Sequence, residues 1–318
     1  MAVAVGARLS TTSEGLWLTA ALARVTRLPA MLNVRPVGGL EGLSTHPGLV
    51  ELESAGVCHG GVLDADVADW VMTLGRPDIE LGLTINAGMQ ASGRAAVPPP
   101  MLQVPDDPIE AYAALMEWNN RRPPQRVAVL CRRDGHWVCA ARMWQPGAGV
   151  DGPVAEDLDE IVVSPLGQDR TVSAAVHDLL GSAAPAQFQG ASIESDVLDS
   201  IVSHWQANPE TNVVALLVDA GLSPEQARVV EAVGDMGTTR ASIAAVEHRV
   251  EGPTVARLAV MIADTAVGRV LVSSNSGPDG RLWTMLTAGT EQRFGAALTE
   301  LLESLPSGTQ WVQHRRVS

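Results

Sequence analysis

Three short blocks occur twice in this chain, in the same order. Leu52-Glu-Ser-Ala-Gly-Val57 is echoed by Leu217-Val-Asp-Ala-Gly-Leu222, and Arg126-Val-Ala-Val-Leu-Cys131 by Arg257-Leu-Ala-Val-Met-Ile262. Ala174-Ala-Val-His-Asp-Leu-Leu180 is echoed by Ala296-Ala-Leu-Thr-Glu-Leu-Leu302. Each block alone is an ordinary apolar pattern; the shared order is the constraint. It describes helices, a strand meander and a closing helix, and then the same again. The physical consequence is two similar α+β units whose strands can join one antiparallel sheet about a pseudo-twofold axis, with helices at the ends. Gly181 to Ser192 is small and polar and reads as the connection, so the halves are 1–185 and 195–318, together one compact unit.

Local signals fill in these units. Ser10 to Ser13 offer capping hydroxyls before a helix from about Gly15 to Val25. Pro29 ends that segment, and Ala30 to Val34 reads as a short strand. A second helix precedes Ala55-Gly56-Val57, and a third runs from Asp64 or Ala65 to Leu74. Ile79 to Ile85 is extended. Arg126 to Arg133 and His136 to Arg142 form a hairpin around Asp134-Gly135, a two-residue turn signal. In that register Cys131 faces Val138 and Leu130 faces Cys139, so the two cysteines point to opposite sides of the sheet. Asp159 to Val163 is another strand and Thr171 to Leu180 a helix. Helices follow at Asp196 to Trp205, Thr211 to Asp219 and Pro224 to Val233. Strands then run at Ala241 to Val250, Val255 to Ala263, Arg269 to Ser274 and Leu282 to Leu286. An amphipathic helix from Thr290 to Leu305 closes the chain. Ala87 to Pro108 holds Pro98-Pro99-Pro100 and admits no regular helix or central strand; Ile109 to Trp118 is a short helix beyond it.

Composition excludes several classes of function. The net charge of −14 disfavours a nucleic-acid partner, since phosphate backbones attract basic faces. The longest apolar run, Val213 to Val218, is far short of the roughly 20 residues a spanning helix needs, so no membrane insertion is expected. Met1 to Gly6 lacks a positively charged leader region, so the chain is expected to stay in the cytoplasm. Three cysteines, Cys58, Cys131 and Cys139, are too few and too odd for a disulfide framework. Aromatic residues make up only 3%, so the core is mainly aliphatic, with eight tryptophans as its large pieces.

Fragments that resemble chemical motifs do not survive inspection. Gly147-Ala-Gly-Val-Asp-Gly152 matches a dinucleotide fingerprint in letters. It is flanked by Pro146 and Pro153 and leads into Glu156-Asp157, an acidic loop unsuited to a pyrophosphate. Asp64, Asp66 and Asp69 look like a metal cluster but sit at a helix start, where capping and the helix dipole explain them. Cys58-His59 are adjacent, which does not aim two ligands at one zinc, and no C-x-x-C is present. The seven histidines are scattered and no G-x-S-x-G elbow occurs. No catalytic residue, metal or cofactor is therefore expected. A ligand or enzyme site assembled from distant residues is the alternative, and a plain structural subunit the third reading.

Two stretches carry a resemblance. One is Ala55-Gly-Val57, Asp64-Ala-Asp-Val-Ala-Asp-Trp70 and Leu74-Gly-Arg-Pro-Asp78. The other is Gly268-Arg-Val-Leu-Val272, Asp279-Gly-Arg-Leu-Trp283, Thr287-Ala-Gly-Thr290 and Leu305-Pro-Ser-Gly308. Together, over nearly the whole chain, they resemble the EspG family, the secretion-associated proteins of mycobacterial ESX (type VII) systems. The resemblance implies a central sheet flanked by helical bundles in two quasi-symmetric halves. It implies a cytosolic chaperone that binds PE–PPE heterodimers at the helical tip of the PPE subunit, keeps them soluble and directs them to one ESX machine. It also implies that the central sheet and the C-terminal helical bundle grip that tip. The residues add a candidate surface: Glu247, Arg249 and Arg257 as polar contacts and Met261 as an adaptable apolar one. In this reading Val246, Leu258, Val260 and Ile262 pack on the core, and the alternate positions stay accessible.

Overall fold

The computed structural model describes residues 3–4, 8–36, 40–86, 107, 110, 125–145, 158–167, 169–208, 210–235 and 237–316. Its helices are α1 (Ser13–Leu22), α2 (Gly48–Ser54), α3 (Ala65–Gly75), α4 (Val172–Leu180), α5 (Ser195–Ala207), α6 (Val213–Asp219), α7 (Pro224–Gly234) and α8 (Glu291–Glu303). Each expected cap is in place. Asp64 Oδ1 accepts from the amides of Asp66 and Val67 at 3.0 and 3.3 Å. Ser223 and Gln226 form a reciprocal capping box with Pro224 at the first helical position. Thr171 and Thr290 cap α4 and α8 in the same way, each accepting from the amide three residues on.

The strands are β1 (Val3–Ala4), β2 (Leu9–Thr11), β3 (Cys58–His59), β4 (Val62–Leu63), β5 (Ile79–Asn86), β6 (Gln125–Arg133), β7 (His136–Gln145), β8 (Leu158–Pro165), β9 (Ala191–Glu194), β10 (Thr239–Arg249), β11 (Gly252–Val255), β12 (Val260–Thr265), β13 (Gly268–Ser276) and β14 (Leu282–Ala288). All but β3 and β4 belong to one twelve-stranded sheet, paired antiparallel throughout, in the order β1-β2-β8-β7-β6-β5-β10-β12-β13-β14-β9, with β11 beside β10. Outward from the centre, β5, β6, β7, β8 and β2 match β10, β12, β13, β14 and β9. The chain is α+β with two quasi-symmetric halves, and the three repeated blocks fall on α2 and α6, β6 and β12, and α4 and α8.

Alternation along the strands splits the core into three. Ile79, Leu81 and Leu83 of β5 and Ile243 and Ala245 of β10 pack under α4 and α8, with Phe294, Leu298 and Leu301 at the centre. On the other side of the sheet, α1–α3 cover Val129 and Cys131 of β6, Val138 and Ala140 of β7, and Ile161 and Val163 of β8. In the second half, α5–α7 cover Ala263, Val270 and Leu286. The hairpin register is the expected one, with Cys131 opposite Val138 and Leu130 opposite Cys139. Asp134 and Gly135 take φ of 51° and 90°, the positive values a mirror-image turn needs. Cys139 faces the shared core and Cys131 the N-terminal one, and burial pushes both thiols up, Cys139 to about 11.

Several expectations are corrected. Ala30–Leu32 is a 3-10 turn rather than a strand, because its carbonyls turn inward: Arg142 Nη1 donates to Leu32 O, and to Asn33 O at 3.1 Å. The strand expected at Val255 to Ala263 is two, β11 and β12, both on the same edge of β10 and interrupted over 256–259. The connection after Gly181 ends in an edge strand, β9, and runs beside β13. There Ala186 N donates to Arg269 O at 2.9 Å and Arg269 N to Ala184 O at 2.7 Å. The Gly147–Gly152 motif lies outside the described residues. So do the Pro-rich stretch to Pro108 and the helix expected beyond it, save Asp107 and Glu110.

Phe294 is 2% exposed at the centre of the shared core. Phe294→Ala is expected to cost about 3–5 kcal/mol, read from urea unfolding midpoints against the wild type.

Candidate functional site

The central strands are covered on one face only. Side chains at Ile79, Leu81 and Leu83, and at Ile243, Ala245 and Glu247, point to the α4–α8 side. The other face presents Glu80, Gly82 and Thr84 from β5, and Ser242, Ala244, Val246 and His248 from β10. The register sets Thr84 against Ser242, Gly82 against Ala244 and Glu80 against Val246. No residue of β5 or β10 joins the buried clusters under α1–α3 or α5–α7. The helices α1–α3 stop at β6 on one side, with Met31 of the 3-10 turn reaching over Gly82 of β5, and α5–α7 stop at β12 on the other.

The result is a strip of bare sheet between two helical bundles. From β6 to β12 is three strand spacings, roughly 14 Å at ~4.8 Å each, and an α-helix with its side chains is about 10–12 Å across. Ser242 and Ala244 are exposed, and Thr84 and Val246 half-buried. Gly82 lies under Met31, whose Sδ would stand 2.3 Å from a Cβ built there, so this position stays open only to glycine or to a displaced methionine. Met261 of β12 sits opposite Ser242 at the edge of the strip. At one end, Val246 pairs with Val255, which is 62% exposed, so the apolar surface continues onto the β10–β11 hairpin. On this open face, the ionisable side chains from Glu80 to Thr84 and from Ser242 to His248 are Glu80 and His248, whose Oε2 and Nε2 stand 3.3 Å apart. Small, mostly uncharged side chains thus form a shallow floor one helix wide.

The four sequence-derived residues divide between two faces. Met261 lies on the strip. Arg257 is exposed within the 256–259 interruption, beside Ala244 and Ala245, while its neighbours Ala256 and Leu258 pack on the shared core. Glu247 is on the closed side and fully buried, which corrects its expected contact with a partner. Its carboxylate accepts from Arg249 Nε at 2.6 Å, and from Ser307 N and Oγ at 2.9 and 2.6 Å, with His314 Nδ1 at 3.9 Å. Burial pushes this carboxyl up, but the Ser307 and Arg249 hydrogen bonds and His314 outweigh it and hold the group below its ordinary value. Arg249 follows Glu247 to the same side, its side chain 40% exposed. The parity was misread because Val246 is the more apolar residue. Ile243 is the better guide, since it shares its face with Glu247 and with the alternating Ile79, Leu81 and Leu83. Sequence reasoning also missed the strip's floor, since Ser242, Ala244 and Gly82 carry no signal of their own. Among the described residues no group of three or more His, Cys, Asp or Glu is placed to hold a metal ion.

A model of the EspG family matches residues 101–300. This chain belongs to the EspG family. Similar full-length members include the ESX-2 secretion-associated protein EspG2 of Mycobacterium tuberculosis, 26% identical over 97% of this chain and 99% of that one. The ESX-5 secretion-associated protein EspG5 of Mycobacterium marinum is 25% identical over 96% and 95%. In three dimensions the fold matches that of the type VII secretion system chaperone EspG5 of M. tuberculosis, solved in complex with a PE25–PPE41 dimer. The TM-score is 0.69 at 18% identity, covering 95% of this chain and 98% of that one. The EspG architecture therefore includes the central sheet whose bare strip is described above.

The lowered Glu247 carboxyl carries a pH dependence. Its stabilisation is present in full above the ordinary value of 4.5 and is lost as pH falls through the lower folded value. Glu247→Gln is expected to lower the melting temperature at neutral pH and to flatten the loss of stability expected of the wild type below pH 4.5. Thermal melts from pH 3 to 7 check this.

Proposed function

We propose that this protein is a cytosolic chaperone that binds a PE–PPE heterodimer at the helical tip of the PPE subunit, keeps it soluble and directs it to an ESX type VII secretion system. The observation that carries the reading is the strip of β5 and β10 left open by both helical bundles, one helix wide and mostly uncharged. It lies on a fold shared with a chaperone solved in complex with a PE25–PPE41 dimer. A helical tip with apolar residues laid on this floor exchanges water for Ala244, Val246 and Met261 while Thr84 and Ser242 offer hydroxyls at its rim. Arg257, beside Ala244, is the cation within reach of a tip's terminal carbonyls. Arg249, held by Glu247, lies on the opposite face, away from this floor.

A shallow docking floor asks for no acid–base machinery, and the protein acts in this reading as a binder and not as an enzyme. A cytoplasmic location follows from the role, and no helix among the described residues is long and apolar enough to cross a membrane. The two units, 1–185 and 195–318, act as one body, since the floor takes one strand from each.

Co-expression with PE–PPE pairs from the same genome, followed by co-purification, tests the proposal. Ala244→Trp fills the floor at an exposed position, where substitutions change stability by less than about 0.5 kcal/mol. It is expected to abolish capture of a pair that the wild type retains, and Arg257→Glu to weaken it. Full capture by the folded Ala244→Trp variant would place the client elsewhere.

A further inference from the structure

The stretch from Gly15 to Pro36 carries Arg24, Arg27 and Arg35 and no carboxylate, in a chain whose net charge is −14. It forms α1 and the irregular segment that follows. After Leu22 the chain reverses: Arg24 takes φ of 56°, and the amides of Arg24 and Val25 return to the carbonyls of Ala21 and Ala20 at 3.0 and 2.8 Å. Glycine takes that conformation without strain, yet an arginine occupies it. The reversal opens a groove of about 900 Å³ against the 3-10 segment Leu40–Thr45. Trp17, Ala21, Val25, Leu28, Val34 and Leu43 line it, and among the described residues Arg24 and Arg27 are the charged ones of its wall. Both guanidinium groups are exposed, and neither has a carboxylate partner. The described residues of the lining include no Asp, Glu, His or Cys. None of it belongs to β5, β10 or β12, so the groove is separate from the client strip.

We propose that this groove binds a monomeric long-chain carboxylate, with the alkyl chain against Trp17, Val25 and Leu28 and the head group between Arg24 and Arg27. Three features select this occupant. The volume falls in the range of small-ligand pockets, about 300–1,000 Å³. Among the described residues the wall is mostly aliphatic and aromatic, with Thr26 and one cluster of positive charge as its polar part, which matches a ligand with a single anionic end. The two arginines stand unpaired on an otherwise acidic protein, so the complementary charge must come from outside this region. A cationic amphiphile has no counter-charge here, and an uncharged one leaves the arginines unused.

Isothermal titration of the full chain with sodium octanoate, decanoate and dodecanoate, each below its micellar concentration, reads the site directly. One saturable site is expected, with affinity rising about fourfold per added methylene. Arg24→Gln with Arg27→Gln, both exposed and therefore compatible with folding, is expected to weaken dodecanoate binding about tenfold. Dodecyltrimethylammonium is expected to bind no better to the wild type than dodecanoate binds to that variant. The proposal is overturned if dodecanoate shows no saturable binding, if the double variant binds it unchanged, or if the cationic amphiphile binds equally well. It is also overturned if the double variant loses a co-purifying PE–PPE pair while the wild type ignores dodecanoate, since the groove would then be a protein contact.

Discussion

The pairing of β5 with β10 is the interaction on which the rest of this molecule depends. Eight register pairs, from Asn86–Arg240 to Ile79–Glu247, fuse the central strand of one half to that of the other. Without that ladder each half would expose an unpaired strand edge, a template for association. With it, the apolar faces of both central strands converge on α4 and α8, and a single core with Phe294 at its middle serves both halves. The same pairing creates the bare strip. Each half folds its other three helices over its own outer strands, so the two strands at the junction keep an open face. The candidate docking floor is thus a consequence of the symmetry and needs no special residues to create it.

Polar groups buried beneath the junction lock this arrangement. Asp78, just before β5, accepts from Asp134 N at 2.9 Å and from Arg316 N at 2.7 Å. Arg132, 2% exposed, donates to the carbonyls of Val312 and of His314, the latter at 3.0 Å. His314 Nε2 reaches His248 O at 3.0 Å, and Glu247 gathers Arg249 and Ser307. The C-terminal tail is therefore pinned to β6 of the first half and β10 of the second at once. Arg269 does the same for the connection between the halves. It holds Asp264 with two hydrogen bonds of 2.6 and 2.8 Å and Gly181 O with one of 2.9 Å. Removing one member of such a buried set leaves its partners uncompensated, which costs far more than the net value of the pair. These contacts therefore act chiefly by specifying one arrangement of tail, connection and sheet.

An open face on a sheet this large is tolerable because antiparallel sheets can meet water on one side. The residues placed there suit that role. Ser242, Thr84 and Ala244 are small or hydroxylic, and the hydrogen-bonded pair of Glu80 with His248 lies at the end of the strip. The apolar content is concentrated in Val246, Val255 and Met261 along the C-terminal side. The strip is wet enough to persist uncovered and apolar enough to gain from being covered.

Much of the fold was legible in the sequence by itself. Periodicity, caps and turn residues are local properties, so the helices from α1 to α8, the Asp134–Gly135 hairpin and its register, and the opposite orientation of Cys131 and Cys139 could be read directly. The repeated blocks carried the two-half plan. What only the tertiary structure decided are the matters that depend on contacts distant in sequence. Ala30–Leu32 is a turn because Arg142, more than a hundred residues away, takes its carbonyls. Glu247 is buried because Ser307 and the tail come to meet it, whereas its charge alone argues for the surface. The strip of Thr84, Ser242 and Ala244 was invisible because exposure of small residues is set by what fails to cover them, and no local pattern encodes where a neighbouring helix stops.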